Sequence, residues 1–237
     1  MDQNLRFESL LVFLFLAGIT ALGAYIGHFW VEPYPYLRVW NWENIFWILL
    51  GVPFVFFQGK VKIPEFLSPY VSHRSRFWNP LFFGLIFGLF DVLVLKVLLH
   101  PEPYLELPPF LQPFPYSLFL YFSGALEVEV FYRLIPIVLV LLIFSLIKGG
   151  SYQSQAFWIV AIFTSLREPL EQLPQGEWWL IVYALLTGFG MNFIQAVYFK
   201  KAGFLASLTL RLGHYLIWHI ALGIYVQWVE LGGNPAP

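Results

Sequence analysis

The chain has 237 residues, 59% of them hydrophobic and 11% charged, with a formal net charge of −1 and a mean hydropathy of +0.70. Soluble domains carry about 25% charged residues, so a chain this apolar has too little polar surface to cover itself in water. Soluble enzymes, disordered chains and nucleic-acid binders are excluded, the last because no basic block accompanies the near-zero charge. The absence of cysteine excludes disulfides and thiolate chemistry.

A helix needs roughly 20 apolar residues to cross the hydrocarbon core, because its backbone groups must bond internally there. Seven spans are predicted, at 10–30, 40–57, 80–100, 117–147, 155–166, 178–199 and 203–228. The first is too long for a signal peptide and lacks a clean cleavage site. Asn41, Glu43 and Asn44 shorten the apolar core of the second, and Arg167 closes the fifth after about a dozen good residues. The fourth is long enough to tilt strongly or to break near Pro136. The expected fold is all-α, a polytopic transmembrane helical bundle of about seven spans (six to eight). It forms one integral membrane domain over 1–237, and its GGNPAP end reads as a frayed tail.

Alternating the seven spans collects Arg6, Lys60, Lys62, Arg74, Arg76, Lys148, Lys200 and Lys201 on one side, and only Arg38 and Arg167 on the other. The lysine- and arginine-rich side is expected to be cytoplasmic, with the N-terminus inside and the C-terminus outside an inner, plasma or thylakoid-type membrane. The opposite side gathers Glu32, Glu102, Glu106, Glu168, Glu171, Glu177 and Glu230. Gly23 with Gly27, and Gly84 with Gly88, are GxxxG pairs expected to pack helices within the chain.

Ionisable residues at membrane depth are costly and mark candidate sites. Asp91 lies in the middle of the third span, and Lys96 is expected to snorkel towards the membrane surface. In the fourth span Glu129 and Arg133 are i,i+4 and able to pair, whereas Glu127 faces another way and needs its own partner. Ser207, Arg211 and His214 form one polar stripe on the seventh span, Asn192 and Gln195 are three apart on the sixth, and His219 faces elsewhere. No metal is expected, because HYLIWH has neither the i,i+4 spacing nor the glutamate of a zinc helix. His28, His100, His214 and His219 are candidate ligands for a pigment or haem, against the alternative that each hydrogen-bonds a neighbour.

Residues 122–222 resemble the CPBP family of intramembrane proteases, the CAAX-prenyl-protease or abortive-infection type, which carries EExxxR, FxxxH and HxxxN (or HxxxD) on three helices. The first motif reads VEVFYR here, keeping Glu129 and Arg133 but with Val128 in place of the first glutamate. In SLREPLEQLPQG, Gln172 stands where the family has histidine and Glu168 where it has phenylalanine. In GFLASLTLRLGHYLIWH the third-motif position falls on either Arg211 or His214, and neither alignment restores the asparagine.

The resemblance implies a catalytic set of Glu129, Arg133, Gln172 and Arg211 or His214. A carboxylate would activate water and a donor would stabilise the developing oxyanion. The lost glutamate and the amide at Gln172, which donates but cannot relay a proton, imply a diverged, proteolytically inactive member. The expected role is that of a subunit or an assembly or binding factor in a larger membrane complex. Its expected partners are the lipid bilayer, other membrane proteins and hydrophobic cofactors, with no nucleic acid. The alternatives are an intramembrane glutamate-type endopeptidase using Glu129 with His214 or Arg211, and a small-molecule transporter or receptor.

Overall fold

The computed structural model describes residues 3–31 and 37–233, without the side chains of Trp30, Val31 and Lys148. Glu32 and Lys148 of the predicted charge separation, and residues 234–237 of the tail, therefore lie outside the description. Among the described residues all regular structure is helical. The helices are α1 (Gln3–Val31), α2 (Trp42–Val61), α3 (Arg74–Leu98), α4 (Tyr116–Leu146), α5 (Gln153–Glu171), α6 (Trp178–Ala202) and α7 (204–230). Each corresponds to one predicted span. Helices α1 to α4 and α6 are long and apolar enough to cross a membrane, and the chain is an integral membrane protein. Phe15, Phe46, Trp78, Phe82, Phe163 and Trp228 are each more than half exposed, an arrangement suited to lipid and unfavourable in water.

The boundaries depart from the sequence expectation where local hydrogen bonding overrides hydropathy. Asn41 and Asn44 do not weaken α2 but begin it. The Asn44 side chain accepts from the Asn41 N–H at 3.0 Å, while the Asn44 N–H bonds back to the Asn41 carbonyl, a reciprocal cap. The α2 helix then loosens at Leu50 and Gly51, because Pro53 has no N–H to continue the ladder. Ser72 caps α3 by accepting the Ser75 N–H at 3.2 Å, which draws Arg74 and Arg76 into the helix. The α5 helix runs through Pro169 to Glu171, past its predicted end at Leu166, so Glu168 and Glu171 are helical. Five turns widen to the π-helical form within α3, α4 and α7 at Arg74–Trp78, Val92–Leu98, Val130–Leu134, Leu216–Ala221 and Val226–Glu230.

The chain divides into two compact units. The first comprises 1–13, 50–80 and 128–209. Here α5 packs along α6, with Pro169 seated on Gly188, where an added Cβ would come within 2.9 Å of the proline ring. The loop after α2 is closed by Glu65, whose Oε2 accepts from Ser9 Oγ and Gln58 Nε2, each at 3.0 Å. Phe66 stacks on Phe204 at 5.1 Å, and Phe13 meets the same ring edge-on at 6.1 Å. Gly203 ends α6 at φ +83°, and a Cβ there would lie 2.6 Å from the Pro64 carbonyl oxygen, so both conformation and space require glycine.

The second unit comprises 14–49, 81–127 and 210–237. In it α3 and α7 cross with backbones in contact. A Cβ on Gly84 would lie 2.0 Å from the Leu210 carbonyl oxygen, and one on Gly88 2.7 Å from Ile217 Cβ. Gly23 and Gly27 likewise receive Phe119 and Tyr116 of α4. Both GxxxG pairs therefore pack helices within the chain, as small residues do where no hydrophobic effect drives association. Substitution Gly84→Val is expected to destabilise the protein in detergent by about 1–3 kcal/mol. Gly18→Val, with nothing within 4 Å, is expected to leave the thermal midpoint nearly unchanged.

Glu65 supplies a pH signature. Burial pushes its carboxyl above the usual carboxylate range, against the hydrogen bonds from Ser9 and Gln58 and the charge of Arg6. A raised folded-state value means that Glu65 stabilises most when protonated. That contribution is complete below the unfolded value of about 4.3 and is lost as pH rises through the higher folded value. Glu65→Gln is expected to be more thermostable than wild type at pH 7, with the gap closing towards pH 4 in unfolding scans.

Candidate functional site

In the first unit the polar interior is built around α4. Pro136 cannot donate to the carbonyl of Tyr132, four residues before it, and the π-helical turn Val130–Leu134 precedes it. Arg133 lies in that turn, fully buried, and its Nη1 donates to the Tyr132 carbonyl at 2.8 Å. The guanidinium thus occupies the position that the proline leaves unserved. The same Nη1 reaches the Thr164 carbonyl of α5 at 3.4 Å. Its Nη2 donates to the Asn192 carbonyl at 2.9 Å, to Asn192 Oδ1, and to Gln195 Oε1 at 3.2 Å, all on α6. One side chain therefore holds three helices, and the i,i+3 pair Asn192 and Gln195 is explained as its receptor.

Glu129, also fully buried, accepts a hydrogen bond from Ser207 Oγ of α7. Ser207, the first residue of the predicted stripe, thus meets Glu129 within the first unit. Gln172 stands exposed at the C-terminal cap of α5, whereas Glu168, one turn earlier, is buried. The buried carboxylate of α5 is thus one that sequence reasoning had assigned to the outer surface. Its i+4 spacing to Gln172 was the available signal. Near the end of the same helix, Glu171 accepts from Tyr132 Oη and pairs with Arg167 at 2.8 Å.

In the second unit His214 Nε2 lies 2.7 Å from Asp91 Oδ2, beside the Gly84, Gly88 and Gly213 crossing. The half-buried Asp91 carboxylate orients the buried imidazole, and Nδ1 has no hydrogen-bond partner among the described residues. Arg211, fully buried, lies with its guanidinium carbon 5.8 Å from the Tyr215 ring centroid. His219 lies on the following turn, which is widened to the π-helical form. It donates from Nδ1 to the Phe110 carbonyl at 2.8 Å and stacks on Tyr121, which donates to the same carbonyl at 2.6 Å. Arg38 Nη2 in turn donates to Tyr121 Oη at 3.1 Å. Glu127 finds its partner in Asn44 Nδ2, at 3.3 Å.

Lys96 corrects one expectation. It does not snorkel but is buried, with Nζ 2.9 Å from Glu230 and donating to the carbonyls of His100 and Glu102. The Pro-rich loop over 101–115 brings those carbonyls within reach, which span hydropathy cannot foresee. His100 and His28 are exposed, the former bonded through Nδ1 to the Glu102 carbonyl. The rings of His214 and His219 are 6.5 Å apart and nearly perpendicular. Among the described residues no group of three or more His, Cys, Asp or Glu could hold a metal ion. No family model, curated protein or solved structure matches the chain.

The role of Arg133 is separable from its charge by a double-mutant cycle. Arg133→Met withdraws the side-chain donor from the Tyr132 carbonyl and the hydrogen bonds to Asn192 and Gln195, and is expected to cost about 3–5 kcal/mol. Pro136→Ala returns an N–H to the Tyr132 carbonyl, so the double variant is expected to be more stable than the summed single effects by about 0.5–2 kcal/mol, read from detergent unfolding.

Proposed function

We propose that the chain is a diverged, non-catalytic relative of the CPBP intramembrane proteases, serving as a subunit or an assembly or binding factor of a larger membrane complex. The observation that carries this reading is how the retained motif residues are used. Arg133 is committed to the carbonyls and amides of α4, α5 and α6, and the buried Glu129 accepts from Ser207. Both act as structural connectors, and Gln172 stands exposed at the end of α5. A water-activating carboxylate needs access to water and a proton acceptor's freedom, and neither residue is arranged for that. The aromatic exterior supports contact with other helices or with hydrophobic cofactors, and the distribution of basic residues supports a cytoplasmic N-terminus.

A second reading, an intramembrane endopeptidase, is favoured by one observation: Asp91 orients His214 and leaves its Nδ1 without a described partner. The two readings separate on extraction from the native membrane in mild detergent, followed by sizing and an absorption spectrum. A complex far larger than one 27.6 kDa chain with its detergent is the expected result. A small, colourless particle that incorporates labelled water into a cleaved peptide, and loses this with Glu129→Ala, would overturn the first reading.

A further inference from the structure

The first unit holds a 330 Å³ cavity open on one side, lined by Lys62, Ile63, Leu141, Ser154, Phe157 and Lys200 among others. Its volume is within the range of small-ligand sites, and no acidic residue lines it. Neither ammonium has a carboxylate or hydrogen-bond acceptor among the described residues. Lys200 Nζ is fixed instead over the faces of Phe157, at 4.2 Å, and Trp158, at 4.9 Å. Cation–π contact holds the charge in place while leaving its N–H donors unspent.

Lys62 is the one described residue other than glycine at positive φ, 64° with ψ 25°. That left-handed conformation ends α2 in a Schellman-type turn, with the Lys62 N–H on the Gly59 carbonyl at 3.3 Å and the Ile63 N–H on the Gln58 carbonyl at 3.2 Å, and the turn sets Lys62 beside the cavity. The remaining wall combines polar Ser151, Gln153 and Ser154 with Gly150 and the apolar side chains of Val61, Ile63, Leu141 and Phe157.

We propose that this cavity binds a phosphate-bearing anion, with Lys62 and Lys200 pairing its oxygens and the apolar wall accepting whatever the phosphate is joined to. The chemistry is shared by an anionic phospholipid headgroup and by free phosphate. Sequence placed both lysines on the same, basic side of the membrane, the side on which anionic lipids attract cations. This inference is independent of whether the chain belongs to a complex.

The test uses the purified full-length chain in mild non-ionic detergent, with phosphatidic acid, phosphatidylcholine and inorganic phosphate as probes, read by native mass spectrometry and thermal shift. Wild type is expected to retain phosphatidic acid over phosphatidylcholine, and Lys200→Gln to weaken that retention about tenfold or more, the value of one charge-assisted hydrogen bond. Lys62→Gly removes the second ammonium while relieving the left-handed strain. It is expected to fold at least as stably and still lose retention, which separates binding from folding. Lys201→Gln, on an exposed neighbour, is expected to change nothing. If inorganic phosphate protects equally well with the same dependence on Lys62 and Lys200, the site takes free phosphate and the proposal stands. Equal retention of both lipids with no phosphate protection, or binding unchanged in both variants, would overturn it.

Discussion

A guanidinium with no exposed surface, bonded to a carbonyl that a proline cannot serve, governs the first unit. In hydrocarbon every backbone group left without a partner costs several kcal/mol. A proline within a spanning helix therefore has to be answered by some other donor. Arg133 answers Pro136 from one turn away and also donates from Nη1 to α5 and from Nη2 to α6. Its five N–H groups in a planar fork suit it to several carbonyls at once, where the rotating point charge of a lysine would not. The charge most expensive to bury is also the group that makes a broken helix tolerable.

The second unit meets the same constraint with different chemistry. Its helices carry Asp91, Lys96, Tyr121, His214, His219, Gln227 and Glu230, and much of their bonding is to the backbone of the loop over 101–115. Gln227 accepts from the Phe114 N–H and Glu230 from the Tyr104 N–H, each at 2.8 Å, while His219 and Tyr121 converge on the Phe110 carbonyl. A Pro-rich segment has few N–H groups and cannot satisfy its own carbonyls. The side chains of the spanning helices do it instead.

Hydropathy alone revealed seven helices, because the apolar runs are long and the interior of a bilayer leaves the backbone no alternative. The glycine pairs were legible for the same reason, since small residues four apart have one main use in a lipid environment. The ends of α2, α3 and α5 were not, because they depend on the Asn41–Asn44 reciprocal cap, the Ser72 cap and a tolerated Pro169 rather than on apolarity. Spacing correctly paired Asn192 with Gln195 on one face. It could not name the partners across helices: Asp91 for His214, Glu230 for Lys96, Ser207 for Glu129. Those are set by which helices meet, and a single sequence does not encode that locally.

The length of α4 has a consequence for the bilayer itself. Its 31 residues extend about 46 Å at about 1.5 Å per residue, against a hydrocarbon thickness of about 30 Å, whereas the 20 residues of α2 match that thickness upright. Thickening or thinning the lipid therefore changes the tilt of α4 far more than that of a matched helix. Tilt moves the ends of a helix most and its midpoint least, and the midpoint of Tyr116–Leu146 is Phe131, between Glu129 and Arg133. The buried charges sit at the midpoint of the helix, the point that a change of tilt moves least.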